Sequence, residues 1–284
     1  MGTVPPDPPI QPHDASGQLE AGWSRLAGAV LFAVALVGSV ALVGTVGGAW
    51  ESWDGPQRPL PTPGTGGTVS SPPPSAPRAC EQDALIGQLK ADDTPAYRRP
   101  WESSRVVAVF DTRSVLGAPQ VFLLEDDVYD QGGRRWFRAL LPVRPNGTTG
   151  YIQADRLELA RTPWRLELTR RRFELRLYRN CELVRRFRVG IGTGDTPTPT
   201  GRFYLASLLK VPDPDTIYGP YAYGLSGFSE TLEDWPFGGI VGLHGTNDPS
   251  SIGRRSSHGC IRMRNRDILQ LVKILPLGTP MEID

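Results

Sequence analysis

The chain has 284 residues, a formal net charge of +1, and 39% hydrophobic and 21% charged side chains. That length suits two domains plus appendages. The balanced charge excludes the dense basic face that nucleic acid requires, so no nucleic-acid partner is expected.

Residues 1–24 are polar and proline-rich, too poor in apolar side chains to offset chain ordering, which predicts a disordered cytoplasmic tail. Residues 26–46 are an apolar and small-residue run without a charge. About 20 such residues span a hydrocarbon core, so 25–49 are expected to form a transmembrane helix contacting the cell membrane through 26–46. Arg25 at one edge and Trp50 and Trp53 at the other favour an N-terminus inside and everything later outside. The competing reading is a cleaved signal ending near Gly47-Gly48-Ala49; either way the remaining chain is exported. Residues 50–79, rich in Pro, Gly and Ser, read as an extended stalk, at roughly 3.1 Å per residue.

Residues 80–160 predict a small β domain. Short β-rich runs at 106–110, 121–124 and 136–141 are separated by turn signals, and Pro145-Asn146-Gly147 is a strong hairpin turn before the strand Gly150-Tyr151-Ile152. Asn146-Gly147-Thr148 also fits a glycosylation sequon, which in a tight turn reads as turn chemistry. The pattern resembles bacterial SH3-like barrels, which implies a wall-binding module or a spacer.

Residues 163–284 hold the chemistry, in a mainly β segment. Phe173, Leu175 and Leu177 alternate with charged residues, and Arg179-Asn180 turns the chain into 183–189. Gly190-Ile191-Gly192-Thr193-Gly194 is followed by Pro197 and Pro199 where a dinucleotide fold would start a helix, so no nucleotide site and no cofactor is expected. One short helix follows the last cysteine, with Asn265 as cap, Asp267 in its first turn and Ile268, Leu271, Val272 and Leu275 at helical spacing; Met281-Glu282-Ile283 reads as a closing strand.

The chain contains three His and three Cys. Two of those histidines and one cysteine meet in His244-Gly245-Thr246 and Ser257-His258-Gly259-Cys260-Ile261-Arg262. A free thiol has a pKa of about 8.5 and needs a neighbouring base or cation to act as a nucleophile at neutral pH. From the residues alone His244 and His258 compete as that base, since His258 in extended chain would share a face with Cys260. Gly259 would allow close backbone approach, and the N–H groups of Gly259 and Cys260 are natural oxyanion donors. Arg262 is placed to meet a carboxylate of the substrate or to pair with a surface acid. With Cys260 as nucleophile, Cys80 and Cys181 are left as a possible disulfide. Two other classes stay open. A zinc site of His244, His258 and Cys260 is one, although no further Cys or carboxylate lies near them and no metal is expected; a non-catalytic wall-binding protein is the other.

Five stretches in order, Thr198-Pro199-Thr200-Gly201-Arg202-Phe203, Tyr218-Gly219-Pro220-Tyr221-Ala222, His244-Gly245-Thr246-Asn247, Ser257 to Met263, and Pro276-Leu277-Gly278-Thr279-Pro280, resemble the YkuD-type L,D-transpeptidase catalytic domain. The resemblance implies a bacterial cell-wall enzyme acting on donor and acceptor peptidoglycan stem peptides, with Cys260 as nucleophile, His244 as general base oriented by the Gly245 carbonyl, and His258 shaping the pocket or tuning the thiolate. It also implies acylation by carbapenems. Ser257, Arg262 and Tyr223 are expected to touch substrate, and Trp235 to lie in the segment over the cleft or in the core. Water instead of an amine as acceptor would make the same residues a carboxypeptidase.

Overall fold

The computed structural model describes residues 83–232 and 236–284. The expected tail, membrane span (25–49), stalk (50–79), Cys80 and Trp235 lie outside the described residues. Among the described residues no helix is long and apolar enough to cross a membrane.

The fold is mainly β. Its first sheet has seven strands, β1 (Ala84–Leu89), β2 (Thr94–Tyr97), β3 (Val106–Phe110), β4 (Val121–Gln131), β5 (Arg134–Leu140), β6 (Thr149–Gln153) and β7 (Leu157–Thr162), in the order β3-β2-β6-β5-β4-β1-β7. The β-rich runs read from the sequence fall on β3, β4, β5 and β6. β4 is longer than its apolar run: a register shift between Leu124 and Val128 carries the acidic stretch 125–127, and the strand resumes until Gly132 and Gly133 turn it at φ 63° and 72°. Two successive positive φ values make the tight turn whose twist matches paired strands, and glycine adopts them without strain. β1 pairs with both β4 and β7. Leu85 and Leu89 enter the core of the first sheet, while Ile86 faces the opposite way.

The second sheet contains β8 (Trp164–Thr169), β9 (Glu174–Arg179), β10 (Glu182–Arg188), β12 (Gly201–Lys210), β13 (Tyr221–Phe228), β14 (Ile240–His244), β16 (Ile261–Arg262) and β17 (Pro280–Ile283), in the order β10-β9-β8-β17-β12-β13-β14-β16. β11 (Ile191–Gly192) and β15 (Arg255–Ser257) form a separate parallel pair. The 183–189 strand is β10, and Asn180 and Cys181, at φ 47° and 69°, make the turn into it. Phe173 takes φ 52° and ends the preceding turn, so β9 starts one residue later than the alternation suggests. The closing strand β17 inserts between β8, parallel, and β12, antiparallel.

The single α-helix among the described residues, α1 (Asn265–Val272), follows Cys260 as expected, but its cap differs. Arg264 occupies the N-cap without a side-chain bond, and Asn265 is the first helical residue. The Asn265 side chain accepts a hydrogen bond from Thr246 N at 2.8 Å instead.

A small apolar cluster joins the two sheets: Ile86, Val121 and Leu123 from the first, Tyr204 from β12. The buried Tyr204 hydroxyl donates to the Val121 carbonyl at 3.0 Å, a partner that a buried phenol needs. Gly278 closes the contact at φ +86°, where an added Cβ would lie 2.6 Å from Ile86 Cγ2. Gly278→Ala is expected to destabilise the protein by about 3 kcal/mol, from the clash and the left-handed backbone together. Denaturant titration checks this, and in a double-mutant cycle Ile86→Ala should relieve part of the loss; strict additivity would show that the contact is not the cause.

Candidate active site

β14 and β16 run parallel with Leu243 opposite Ile261 and His244 opposite Arg262. That register sets Gly242 beside Cys260, and Gly242 N–H donates to Cys260 Sγ at 3.4 Å. Gly242 and His244 share a face of β14 because side chains alternate along a strand. A Cβ added at Gly242 would lie 3.3 Å from His244 Cδ2 and 3.6 Å from Cys260 Sγ. The imidazole edge and the sulfur therefore flank the same small space, which only a glycine leaves open.

His244 is buried at 3% exposure, and its Nδ1 lies 2.6 Å from the Gly245 carbonyl. A carbonyl only accepts, so Nδ1 carries the proton and Nε2 keeps its lone pair. The Tyr218 ring meets the imidazole edge-on, with centroids 5.1 Å apart. The turn after His244 is fixed from three sides: Gly245 N donates to Tyr221 O at 3.2 Å, Met263 N to His244 O at 2.8 Å, and Thr246 N to Asn265 Oδ1. The Asn265 head fits between two glycines, and a Cβ at Gly219 or Gly245 would come within 2.3 or 2.4 Å of its Oδ1.

The turn carrying Cys260 is held by hydroxyls. Ser257 is buried and its Oγ donates to Cys260 O at 2.5 Å while accepting from Gly259 N at 3.3 Å. Thr198, also buried, donates to Gly259 O at 2.8 Å and accepts from Gly192 N at 2.9 Å. Thr196 donates to Ser257 O, which also receives Thr193 N. The glycine-rich stretch 190–194 thus serves as a brace for this turn. Gly259 at φ +113° turns the chain where an L side chain would be strained.

Several expectations change here. Ser257 is engaged within the turn instead of facing substrate. Tyr223 is fully buried in the core, its hydroxyl donating to Leu275 O at 3.0 Å, so it does not line the cleft. The Gly259 N–H, expected as an oxyanion donor, is taken by Ser257. His258 is exposed between buried Ser257 and Gly259, and the positive φ of Gly259 breaks the extended chain on which a shared face with Cys260 depended. Among the described residues no group of three His, Cys, Asp or Glu side chains converges as a metal-ligand set. The disulfide proposed for Cys181 involves Cys80, outside the described residues. Tyr218, Thr198 and Gly242 carry no role in the sequence reading and Asn265 only that of a helix cap; Tyr218 and Thr198 stand within the quoted motifs, which is the signal that marks them.

Burial dominates the electrostatics. It lowers His244 to about 4, partly opposed by the Gly245 carbonyl and reinforced by the Arg262 charge. Burial also pushes the Cys260 thiol above its ordinary range, against the Gly242 N–H and Arg262, although the residue keeps part of its surface in solvent. Burial likewise raises the Tyr218 phenol, with the neighbouring Cys260 adding to it. Arg262 exchanges backbone bonds with Gly190 at 2.8 and 2.9 Å. Its Nε is buried without a hydrogen-bond partner among the described residues, and its side chain makes none of the ion pairs found there. The surface ion pair considered for it is therefore not formed among them.

A thiol raised and an imidazole lowered make a neutral pair in the free protein. Alkylation of Cys260 by a small uncharged reagent should therefore climb with pH through the ordinary thiol range and beyond; a plateau between pH 5 and 8 would reveal a preformed thiolate and overturn this. The unfolded imidazole titrates at 6.5 and the buried one at about 4, so between those values the unfolded chain binds the extra proton. His244 then leaves stability intact above pH 6.5 and lowers it by about 3 kcal/mol as pH falls towards 4. Urea titrations of wild type and His244→Gln across that window measure the difference, and equal pH slopes would refute it.

Residues 165–283 match the L,D-transpeptidase catalytic domain family, YkuD. The chain is 34% identical over 153 residues to "Putative L,D-transpeptidase YkuD" of Bacillus licheniformis, covering 51% of this chain and 85% of that one. It is 37% identical over 111 residues to the protein of the same name in Bacillus subtilis, covering 39% of this chain and 59% of that one. Among solved structures, the L,D-transpeptidase from Mycobacterium smegmatis aligns with 59% of this chain and 91% of its own at 16% identity and a TM-score of 0.36, too distant to carry detail across. With the motif-bearing strands and turns in place and this degree of identity, the chain belongs to the YkuD family of L,D-transpeptidases.

Proposed function

We propose that this enzyme crosslinks peptidoglycan through a Cys260 thioester. The observation that carries the reading is the joint siting of Cys260 Sγ and the His244 edge about Gly242, with the imidazole held in the tautomer that accepts a proton at Nε2. As the carbonyl between the third, L-centred residue of a donor stem and its terminal D-Ala arrives, the thiol proton passes to His244 Nε2 and sulfur bonds to the carbonyl carbon. Concerted transfer suits a neutral pair, because burial disfavours both ions beforehand. The C–N bond then breaks, His244 returns the proton to the departing D-Ala amine, and the thioester remains. An acceptor stem amine attacks it, His244 takes the amine proton, and collapse forms the new amide and regenerates the thiol.

The oxyanion falls to the Cys260 N–H and to Arg262, whose charge reaches Cys260 and whose Nε has no hydrogen-bond partner among the described residues. Arg262 is equally suited to hold a stem carboxylate. The Gly245 carbonyl orients the base, and exposed His258 belongs to the rim of the pocket. Residues 25–49 as a single-pass anchor, 50–79 as a stalk, an SH3-like domain over 80–160 and a catalytic domain over 163–284 complete the proposal, with the enzyme extracytoplasmic at a bacterial membrane. The apolar run and the proline-rich composition support that arrangement.

Incubation with a carbapenem should add one acyl group to the intact mass of the wild type and none to Cys260→Ala; an adduct in the alanine variant would defeat the assignment. His244→Ala should lower transpeptidation of a tetrapeptide-stem donor by about 10²- to 10⁴-fold with folding intact. Unchanged turnover would remove His244 from the mechanism.

A further inference from the structure

We propose that the β5–β6 turn of the first sheet positions the catalytic hairpin β13–β14, with Asn146 and Arg144 as the positioning residues. The inference rests on the function proposed above. Asn146 Nδ2 donates to Phe228 O at 2.8 Å and Phe228 N donates to Asn146 Oδ1 at 2.9 Å, so the side-chain amide pairs with a backbone peptide 82 positions away. An asparagine in a turn ordinarily bonds its own backbone nearby. Here the turn is closed without it, by Leu141 N to Thr148 O and by Thr148 N and Oγ1 to Pro145 O. Both ends of the amide are engaged outside the turn, which corrects the sequence reading of Asn146 as turn chemistry.

Arg144 holds the turn that leads into the second strand. Its Nη2 donates to Gly238 O at 3.0 Å, and its guanidinium lies over the Phe228 ring at 5.1 Å. Phe228 pairs with Ile240, and Ser229 N donates to Gly239 O at 2.8 Å, so the two residues hold both strands of the hairpin at its loop end.

The hairpin needs such an anchor. Phe237, Gly238 and Gly239 all have positive φ, at 59°, 68° and 72°, a sequence of conformations that does not by itself fix where β14 begins. The β13–β14 register also shifts between Gly224 and Phe228, so the ladder is interrupted beside Gly242. The Arg144 contact at Gly238 lies two residues before β14; from Ile240 the strand runs two residues, about 7 Å at strand rise, to the Gly242 N–H on the Cys260 sulfur, and two further to His244. An error at the anchor is delivered along the strand to both reacting groups.

The test uses the full chain as Asn146→Ala, Asn146→Asp and Arg144→Met. In Asn146→Ala, amides of 240–244 should exchange with solvent about tenfold faster than in the wild type while those of β8–β10 are unchanged. Transpeptidation kcat per titrated Cys260 should fall about tenfold with KM for the stem-peptide donor within about twofold. Asn146→Asp, which keeps the acceptor for Phe228 N and loses the donor for Phe228 O, should be intermediate, and Arg144→Met should shift both readouts in the same direction. A lower melting temperature with unchanged exchange at 240–244 and unchanged kcat would assign Asn146 a merely structural role and overturn the proposal. If Asn146→Ala does not fold, Arg144→Met decides by the same two readouts. A wild type without transpeptidation would sink the proposed function alone, since exchange at 240–244 still reads the coupling.

Discussion

Desolvation of the Cys260 thiol, just before β16, and of the His244 imidazole, at the end of the parallel neighbour β14, is the constraint from which the rest of the site follows. Removing solvent disfavours the thiolate and the imidazolium alike, so neither charge stands ready before substrate arrives. The proposed mechanism moves a proton between the two with little rearrangement, and that demands positional accuracy. The in-register pairing of β14 with β16 supplies it, and Gly242 keeps the intervening space empty. The Gly242 N–H and the Arg262 charge work against the burial of sulfur, which leaves the thiol raised but not isolated.

Accuracy at two side chains requires that the backbone on either side be fully engaged. The His244 turn is held by Tyr221 O, Met263 N and the Asn265 amide, and the Cys260 turn by Ser257, Thr196 and Thr198. These are short polar side chains bonding to buried backbone groups that would otherwise lack partners. Threonines from the 193–198 stretch thus do for the Cys260 turn what Asn265 does for the His244 turn. Arg262 is the exception to this saturation: its Nε is buried without a hydrogen-bond partner among the described residues.

The parts of the site legible in sequence were those whose chemistry is local. Cys260 and His244 stood out because sulfur and imidazole are rare in this chain, and the hairpin at Asn180 followed from a turn residue between alternating runs. What escaped depended on neighbours distant in sequence. Tyr223 reads as a cleft residue until β13 is seen to bury it, and Asn265 reads as a cap until the 245–246 peptide is seen to occupy its amide. His258 looked equivalent to His244 only under a continuous extended chain, which Gly259 interrupts. β1 was missed because a strand buried on both faces has no alternation to display, and β4 was cut short because an acidic bulge resembles a loop.

The contacts between the two sheets differ in kind. Ile86, Val121, Leu123 and Tyr204 form an apolar contact backed by the close approach of Gly278, which resists separation but tolerates small slides. The Asn146 amide against the Phe228 peptide is directional, with two bonds of 2.8 and 2.9 Å that both lengthen if the sheets shift along one another. Apolar burial therefore holds the first sheet on the second, and the polar clamp sets where. Because the clamp grips the hairpin that ends in His244, the choice of which surface the first sheet presents is tied to the geometry of that histidine. A first sheet acting only as a spacer would need the apolar contact and not the clamp.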